Sequence, residues 1–364
     1  GGNFNIFLEE IDPNKNNFFY VKKKIKYYLI KHKIKFCLIF GSVEEVPTIM
    51  YKLPSNWEYS TSLNSNNTTA AADIYYGHFD NKKMKVIIGR LTSGDTKHTQ
   101  YNNITLSQKQ KNVENQVSKI ISYEKKSSEL ISNSSLKNEN WTKKIIGIAS
   151  NDGGEYYGID GLKDNQYMRK ELKKYENINC NYTELYDSYI GTPQTYSDKN
   201  IYDSRGNPNK YNLSLAINNG SSLLLYVGHA NEVVLGTTSF NVNNTELLSN
   251  KGKYFLGCVV GCSAGSHDES NMSLAEEFQV SKEKGSIAMF ASTILQSWTP
   301  PMFMQRQLND IIINTNETLT IGDIFQQSIK NPNFKNMVDY YYYHLLGDPC
   351  TRFIMTIPEV RNKF

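Results

Sequence analysis

The sequence predicts an α/β protein: a three-layer α/β/α arrangement of mostly parallel sheet with helices on both faces, divided into two units. Three observations predict it. At 364 residues the chain exceeds the size at which a single core usually stops growing. Short continuous apolar runs recur, most of them stopped by Gly or a small polar residue, and a strand buried on both faces reads that way. Helix-forming stretches separate those runs, and strands alternating with helices imply crossover connections between parallel neighbours.

In the first unit, residues 20–33 predict an amphipathic helix, and Phe36-Cys37-Leu38-Ile39-Phe40 predicts a strand stopped by Gly41. Residues 54–72 are rich in Ser, Asn and Thr and read as a loop. A strand over 84–88 ends at Gly89-Arg90, and residues 107–126 predict a helix. The polar stretch 127–140 reads as a linker, so the units divide into residues 1–140, the smaller, and 141–364. The second unit opens with the strand 144–149, followed by Ser150-Asn151-Asp152-Gly153-Gly154. A helix over 163–175 and a loop over 186–209 lead to two apolar strands. One is Ser222 to Gly228, running into His229; the other is Lys253 to Gly261, running into Cys262. A helix near 270–284, a strand over 285–291 and helices over 302–314, 320–330 and 334–345 complete the chain.

Function follows from where those strands end. His229 and Cys262 lie 33 residues apart, the length of one strand–helix–strand unit. The C-terminal ends of parallel strands open onto the crevice where α/β proteins hold their sites. Four such ends carry Asp152, His229, Cys262 and the pair Ser292-Thr293 leading to Trp298. An acid, a base, a nucleophile and an aromatic wall thus share one edge. Taken singly, each has a plainer reading: a Cys after a strand is commonly a small core residue, Asp-Gly-Gly is a turn, and Trp packs in cores.

A thiol becomes a nucleophile as thiolate, with an adjacent His as base. His229 would take the proton and return it to the leaving amine, and Asp152 would fix the imidazole tautomer. The backbone N–H groups of Ala230 and Cys262 are the candidates to hold an oxyanion, with Gly261 permitting close approach. A rival occupies the same residues. Gly261-Cys262-Ser263-Ala264-Gly265 satisfies G-x-S-x-G, a serine-hydrolase elbow with Ser263 as nucleophile and His344 as late partner. Such an elbow passes straight into a helix, whereas Ser266-His267-Asp268-Glu269-Ser270 intervenes here.

Other classes find little support. No apolar run approaches the roughly 18 residues of a membrane span. A net charge of +4 with dispersed lysines is too mild to argue for nucleic acid. Neither dinucleotide nor P-loop glycine pattern occurs. Five cysteines form no CxxC pair and no zinc-ligand spacing, leave at least one free thiol, and yield no metal site. His32 and His98 read as surface residues, His78 and His344 as packing partners of Tyr-rich stretches, and His267 as a loop residue. The run Tyr340-Tyr341-Tyr342-Tyr343 reads as an aromatic packing face. No signal peptide stands at Gly1-Gly2-Asn3, so the chain reads as a mature segment.

At these residues the chain resembles the gingipain family of cysteine endopeptidases, which have a caspase-like fold. Tyr226-Val227-Gly228-His229 resembles the family's Tyr-x-Gly-His segment, and Gly261-Cys262-Ser263-Ala264-Gly265 its nucleophile segment. Ala291 to Trp298 with Pro301-Met302 resembles its pocket strand and loop. Ile148-Ala149-Ser150-Asn151-Asp152 resembles the segment bearing the orienting acid, and Leu345-Leu346-Gly347-Asp348-Pro349 its C-terminal signature. Leu38-Ile39-Phe40-Gly41, Val46-Pro47, Asp73 to Gly77 and Val86 to Arg90 follow the family's order in the first unit. The resemblance covers residues 35–355.

It implies a cysteine endopeptidase with two subdomains, acting on polypeptides through a thioester, secreted or at the cell surface. It implies no required cofactor, allows structural Ca²⁺ in loops, and does not separate hydrolysis from transpeptidation. The departures are His229-Ala230 for the family's His-Gly, which keeps the backbone N–H, and Asp152 where arginine-specific members have Glu. Those members also place an Asp in the P1 pocket. Asp160 is the nearest candidate here, ahead of Glu155 and Asp164, and beneath Trp298 it would favour a basic P1 residue by charge pairing. Ser292 is the further candidate contact. The alternatives are the Ser263 hydrolase and a catalytically weak relative kept as a binding module.

Overall fold

The computed structural model describes residues 5–12, 17–53, 69–79, 83–95, 104–132, 139–155, 157–187, 207–269 and 272–361. Eight strands form the central sheet: β1 (Phe36–Phe40), β2 (Ile87–Leu91), β3 (Lys144–Ala149), β4 (Asn181–Tyr186), β5 (Leu223–Val227), β6 (Phe255–Val260), β7 (Ser286–Ser292) and β8 (Tyr343–Leu346). Their spatial order is β1-β2-β8-β7-β6-β5-β3-β4. Neighbours are parallel except at the β7/β8 seam, where Met289 faces Leu346 and Ser292 faces Tyr343 in antiparallel register.

Alternation along each strand builds two cores. Leu223, Leu225 and Val227 of β5 face one side with Leu256, Cys258 and Val260 of β6. Leu224, Tyr226, Phe255 and Val259 face the other. The first core is closed by α1 (Phe18–His32), α3 (Asp164–Lys173), α6 (Thr299–Asn314) and α7 (Ile321–Ser328). The second is closed by α4 (Lys210–Asn218) and α5 (Leu274–Val280). The long helix α2 (Leu106–Ser132) reaches α5, where Lys119 Nζ donates to the carbonyls of Phe278, Lys284 and Ser286 at 2.9–3.0 Å. Strands buried on both faces explain why the apolar runs are continuous rather than alternating.

The structure departs from the sequence expectations at definite places. Helix α2 continues to Ser132 through residues expected as linker; residues 133–138 of that stretch lie outside the described residues, as do 54–68 and 188–206 of the expected loops and His98. The strand expected over 84–88 forms at 87–91, because Arg90 is drawn into the sheet by a buried pair with Asp73 at 2.6 Å. Residues 334–345, expected as a helix, give a short 3₁₀ turn at 338–342 and then β8. Strand β4 and helix α4 were not anticipated. Among the described residues no helix is long and apolar enough to cross a membrane.

Candidate active site

Register brings the site together. Ala149 of β3 pairs with Val227 of β5, which pairs with Val260 of β6, so three adjacent parallel strands end at one level. Asp152 follows three residues beyond β3, and His229 and Cys262 two residues beyond β5 and β6.

Two glycines let the loops close on each other. Gly228 has φ of 153°, and a Cβ there would lie 3.0–3.2 Å from Thr237, Ser150 and Tyr226. A Cβ on Gly261 would lie 2.8 Å from the Cβ of Ala230 and 3.0 Å from the Gly228 carbonyl. The nucleophile loop is therefore packed directly against the His229 loop, and only glycine fits. Tyr226 pins the latter, donating its hydroxyl to the His229 carbonyl at 2.5 Å and accepting from Thr237 N–H at 3.2 Å.

His229 Nε2 lies 3.7 Å from Asp152 Oδ2, with the side chains 69% and 50% exposed. That is an ion-pair distance without a hydrogen bond, in a solvated place. Asp152 is fixed through its backbone: its N–H donates to Ser150 Oγ at 3.2 Å, and its carbonyl accepts from Asp164 N–H at 3.0 Å. The imidazole stands edge-on to Trp298, ring centres 5.0 Å apart.

The Cys262 thiol is partly buried, and burial pushes its pKa up, with the charges of Asp339 and Glu232 adding to that and the Gln296 backbone N–H opposing it. Among the described residues no hydrogen bond joins it to His229, and the raised pKa keeps Cys262 as a thiol. Ala230 and Leu235 form an antiparallel pair flanked by hydrogen bonds from Gly236 N–H to His229 O and Asn231 N–H to Val234 O. In that pattern Ala230 is the non-bonded member, and its N–H points away from the hairpin.

Trp298 is held from beneath by Asp164, the first residue of α3. The indole Nε1–H donates to Asp164 Oδ1 at 2.9 Å, and Ser150 Oγ donates to Oδ2 at 2.6 Å. Asp164 is completely buried, and burial raises its carboxyl pKa against those two hydrogen bonds. Asp160, the acid expected at the pocket floor, is instead 44% exposed and paired with Arg306 at 2.9 Å and Lys170 at 3.2 Å. The hydrogen bonds from Arg306 and Lys170 hold its carboxyl below the usual range. The acid under Trp298 is Asp164; Asp160 sits at a left-handed turn (φ 56°) just before it. Ser292 is fully buried, and its hydroxyl bonds the Ile294 backbone at 3.2 Å.

Ser263 has the left-handed backbone an elbow nucleophile would have, at φ 52°. Yet it is 5% exposed, and its N–H donates to the Ile294 carbonyl at 2.9 Å. The chain then turns, and α5 begins only at Leu274. His344 is committed elsewhere, donating Nε2–H to the Ala71 carbonyl at 3.0 Å. His267, expected in an open loop, is buried against Asp73.

Comparison with known proteins bears on the family and the fold. The model of peptidase family C25 matches residues 12–354. Gingipain R2 of Porphyromonas gingivalis is 28% identical over 180 residues, 48% of this chain and 22% of that protein. Gingipain R1 of the same organism is likewise 28% identical over 180 residues, 16% of its own length. The chain thus spans about a fifth of the length of these relatives. The crystal structure of gingipain R, described as an Arg-specific cysteine proteinase, superposes with a TM-score of 0.72 at 21% identity, covering 93% of this chain and 68% of that one. A complex of gingipain pro- and mature domains gives 0.71 at 20% identity, covering 92% and 70%. Both show a shared fold.

Proposed function

The chain belongs to peptidase family C25, and from that membership and the site geometry we propose that it is a cysteine endopeptidase cleaving polypeptides after basic residues. The observation that carries the reading is the register of β3, β5 and β6, which delivers Asp152, His229 and Cys262 to one edge.

His229 takes the Cys262 proton as the sulfur attacks the scissile carbonyl. The Ala230 and Cys262 N–H groups receive the oxyanion, His229 protonates the leaving amine, and water resolves the thioester. Asp152 orients the imidazole at a distance that substrate binding would shorten. Trp298 forms the P1 wall, and Asp164, buried beneath it with both oxygens already hydrogen-bonded, favours a basic P1 side chain through its charge and not by direct contact. A buried carboxylate with little solvent around it gains more from a guanidinium than an exposed, already paired one such as Asp160. The chemistry needs no cofactor. Family membership supports polypeptide substrates and an exported protein.

The test is amidase activity on Arg-, Lys- and Asn-P1 peptides for the unaltered protein, Cys262→Ala and Ser263→Ala. Activity on Arg or Lys peptides that vanishes in the Cys262 variant and survives in the Ser263 variant supports the thiol mechanism. Survival in Cys262→Ala with loss in Ser263→Ala overturns it. Inactivity of the unaltered protein on every peptide would favour a binding module.

A further inference from the structure

Behind the nucleophile loop, Asp73, His267 and His344 come together from three separate parts of the chain. Each is at most 4% exposed, and a ligand atom from each lies within 4.8 Å of the others. The proton arrangement is legible from the acceptors. His267 Nδ1 lies 3.1 Å from the Gly265 carbonyl, which only accepts, so Nδ1 carries the proton. In the neutral ring Nε2 then holds a lone pair. That atom is buried and makes no well-aligned hydrogen bond, and it stands 3.4 Å from Asp73 Oδ2, a contact that becomes an ion pair when the ring is protonated. Two lone pairs facing each other in a dry pocket repel unless a cation sits between them. His344 likewise gives Nε2–H to a backbone carbonyl, that of Ala71 at 3.0 Å, and keeps a lone pair on its other nitrogen.

This is the way protein metal ligands are held. Coordinating imidazoles donate their second N–H to a backbone carbonyl, and coordinating carboxylates are themselves hydrogen-bonded. Asp73 has that support from Arg90, at 2.6 Å to Oδ2 and 2.9 Å to Oδ1. Arg90 in turn donates to the carbonyls of Gly41, Ser42 and Val46. A separation near 3.4 Å also suits two ligands each about 2.0–2.2 Å from one tetrahedral ion. The Arg90 charge beside the site is offset by Asp73 and by Glu276, itself 1% exposed.

We propose that Asp73, His267 and His344 form a structural site for a divalent first-row metal ion, with Zn²⁺ the ion best suited to two imidazoles and one carboxylate. It would strap the loop following Cys262 to the first unit through Asp73 and Arg90. The alternative occupant is a proton shared between His267 and Asp73.

The catalytic pair could itself capture Zn²⁺, so the test uses the full chain carrying Cys262→Ala and His229→Ala. It is produced in medium supplemented with Zn²⁺ or Co²⁺, letting the ion enter during folding, and passed over a weak chelator. The expected result is one ion retained per chain, a raised Tm, and Co²⁺ visible bands without the thiolate charge-transfer band of a cysteine site. Adding His267→Asn or His344→Asn should weaken retention by on the order of 100-fold and abolish the Tm response. Absence of retained ion, retention equal in both added variants, or a thiolate charge-transfer band would each overturn the site. If the added variants fail to fold, the metal content and Co²⁺ spectrum of the parent protein decide.

Discussion

Cys262 is held as a thiol by burial and by nearby carboxylates, and His229 forms no hydrogen bond to it. Deprotonation therefore belongs to the reaction and not to the resting state. The expected alkylation profile of Cys262 with iodoacetamide rises with pH through and above the ordinary thiol range. A plateau reached below neutrality would reveal a preformed ion pair and contradict this. Asp152 is half exposed and 3.7 Å from His229. Asp152→Ala should lower kcat/KM by about tenfold, or about 1.4 kcal/mol, and a loss near that of Cys262→Ala would mean a tighter coupling than the structure has. The two candidate acids should separate cleanly. Asp164→Asn keeps an acceptor for Trp298 but removes the buried charge, so kcat/KM on Arg-P1 peptides should fall by on the order of 100-fold. Asp160→Asn should change it by less than about threefold, since an exposed, paired carboxylate contributes little. Burial raises the Asp164 carboxyl pKa, so its charge is lost earlier as pH falls than an ordinary aspartate's would be. KM for Arg-P1 peptides should rise on the acid side in the unaltered protein and stay flat in Asp164→Asn.

The elements show which parts of this were legible. Strands β3, β5, β6 and β7 are continuous apolar runs because both faces are covered, so composition alone marks them, and their ends carry Asp152, His229, Cys262 and Trp298. Strand β4 is one of the two edge strands, reading Asn181-Tyr182-Thr183-Glu184-Leu185-Tyr186, with the buried Glu184 held by Arg169 and by the Tyr186 hydroxyl, each at 2.9 Å. A partner distant in sequence makes such a strand invisible to local pattern. The run Tyr340 to Tyr343 was rightly read as packing, yet its continuation into β8 depends on the place between β2 and β7, which only tertiary pairing sets. Asp164 carries no local signal, because what marks it is the indole of Trp298, which comes from far along the chain. Lys119 is a third such case: a lysine on a polar-looking helix, 3% exposed, whose ammonium caps three carbonyls near the end of α5. Lys119→Met fits the hydrocarbon stem but strands those carbonyls. It should cost about 3 kcal/mol in denaturant unfolding, and a loss below about 1 kcal/mol would show that water replaces the ammonium.

Across the whole molecule, the sheet joins chain segments that the sequence divides near residue 140. Strands β1 and β2 reach the remaining strands only through β8, which arrives from the C-terminal end. Gly347 N–H donates to the Arg90 carbonyl at 2.8 Å, and Thr293 Oγ1 to the Ala71 carbonyl at 2.8 Å, so both sides of the β7/β8 seam are tied to the first unit. We propose that residues 1–140 and 141–364 are subdomains of one cooperative unit. Without β8, β2 would expose one edge of its backbone and the Asp73–Arg90 pair would lose the covering provided by His267 and His344. Unfolding in denaturant should follow one transition, with far-ultraviolet dichroism and tryptophan fluorescence coinciding. Residues 1–140 produced alone should stay unfolded, and should gain structure only when residues 141–364 are supplied in trans. Two resolved transitions, or a folded isolated first segment, would mean that the seam is a contact between autonomous domains and that the nucleophile loop does not depend on the first unit for its support.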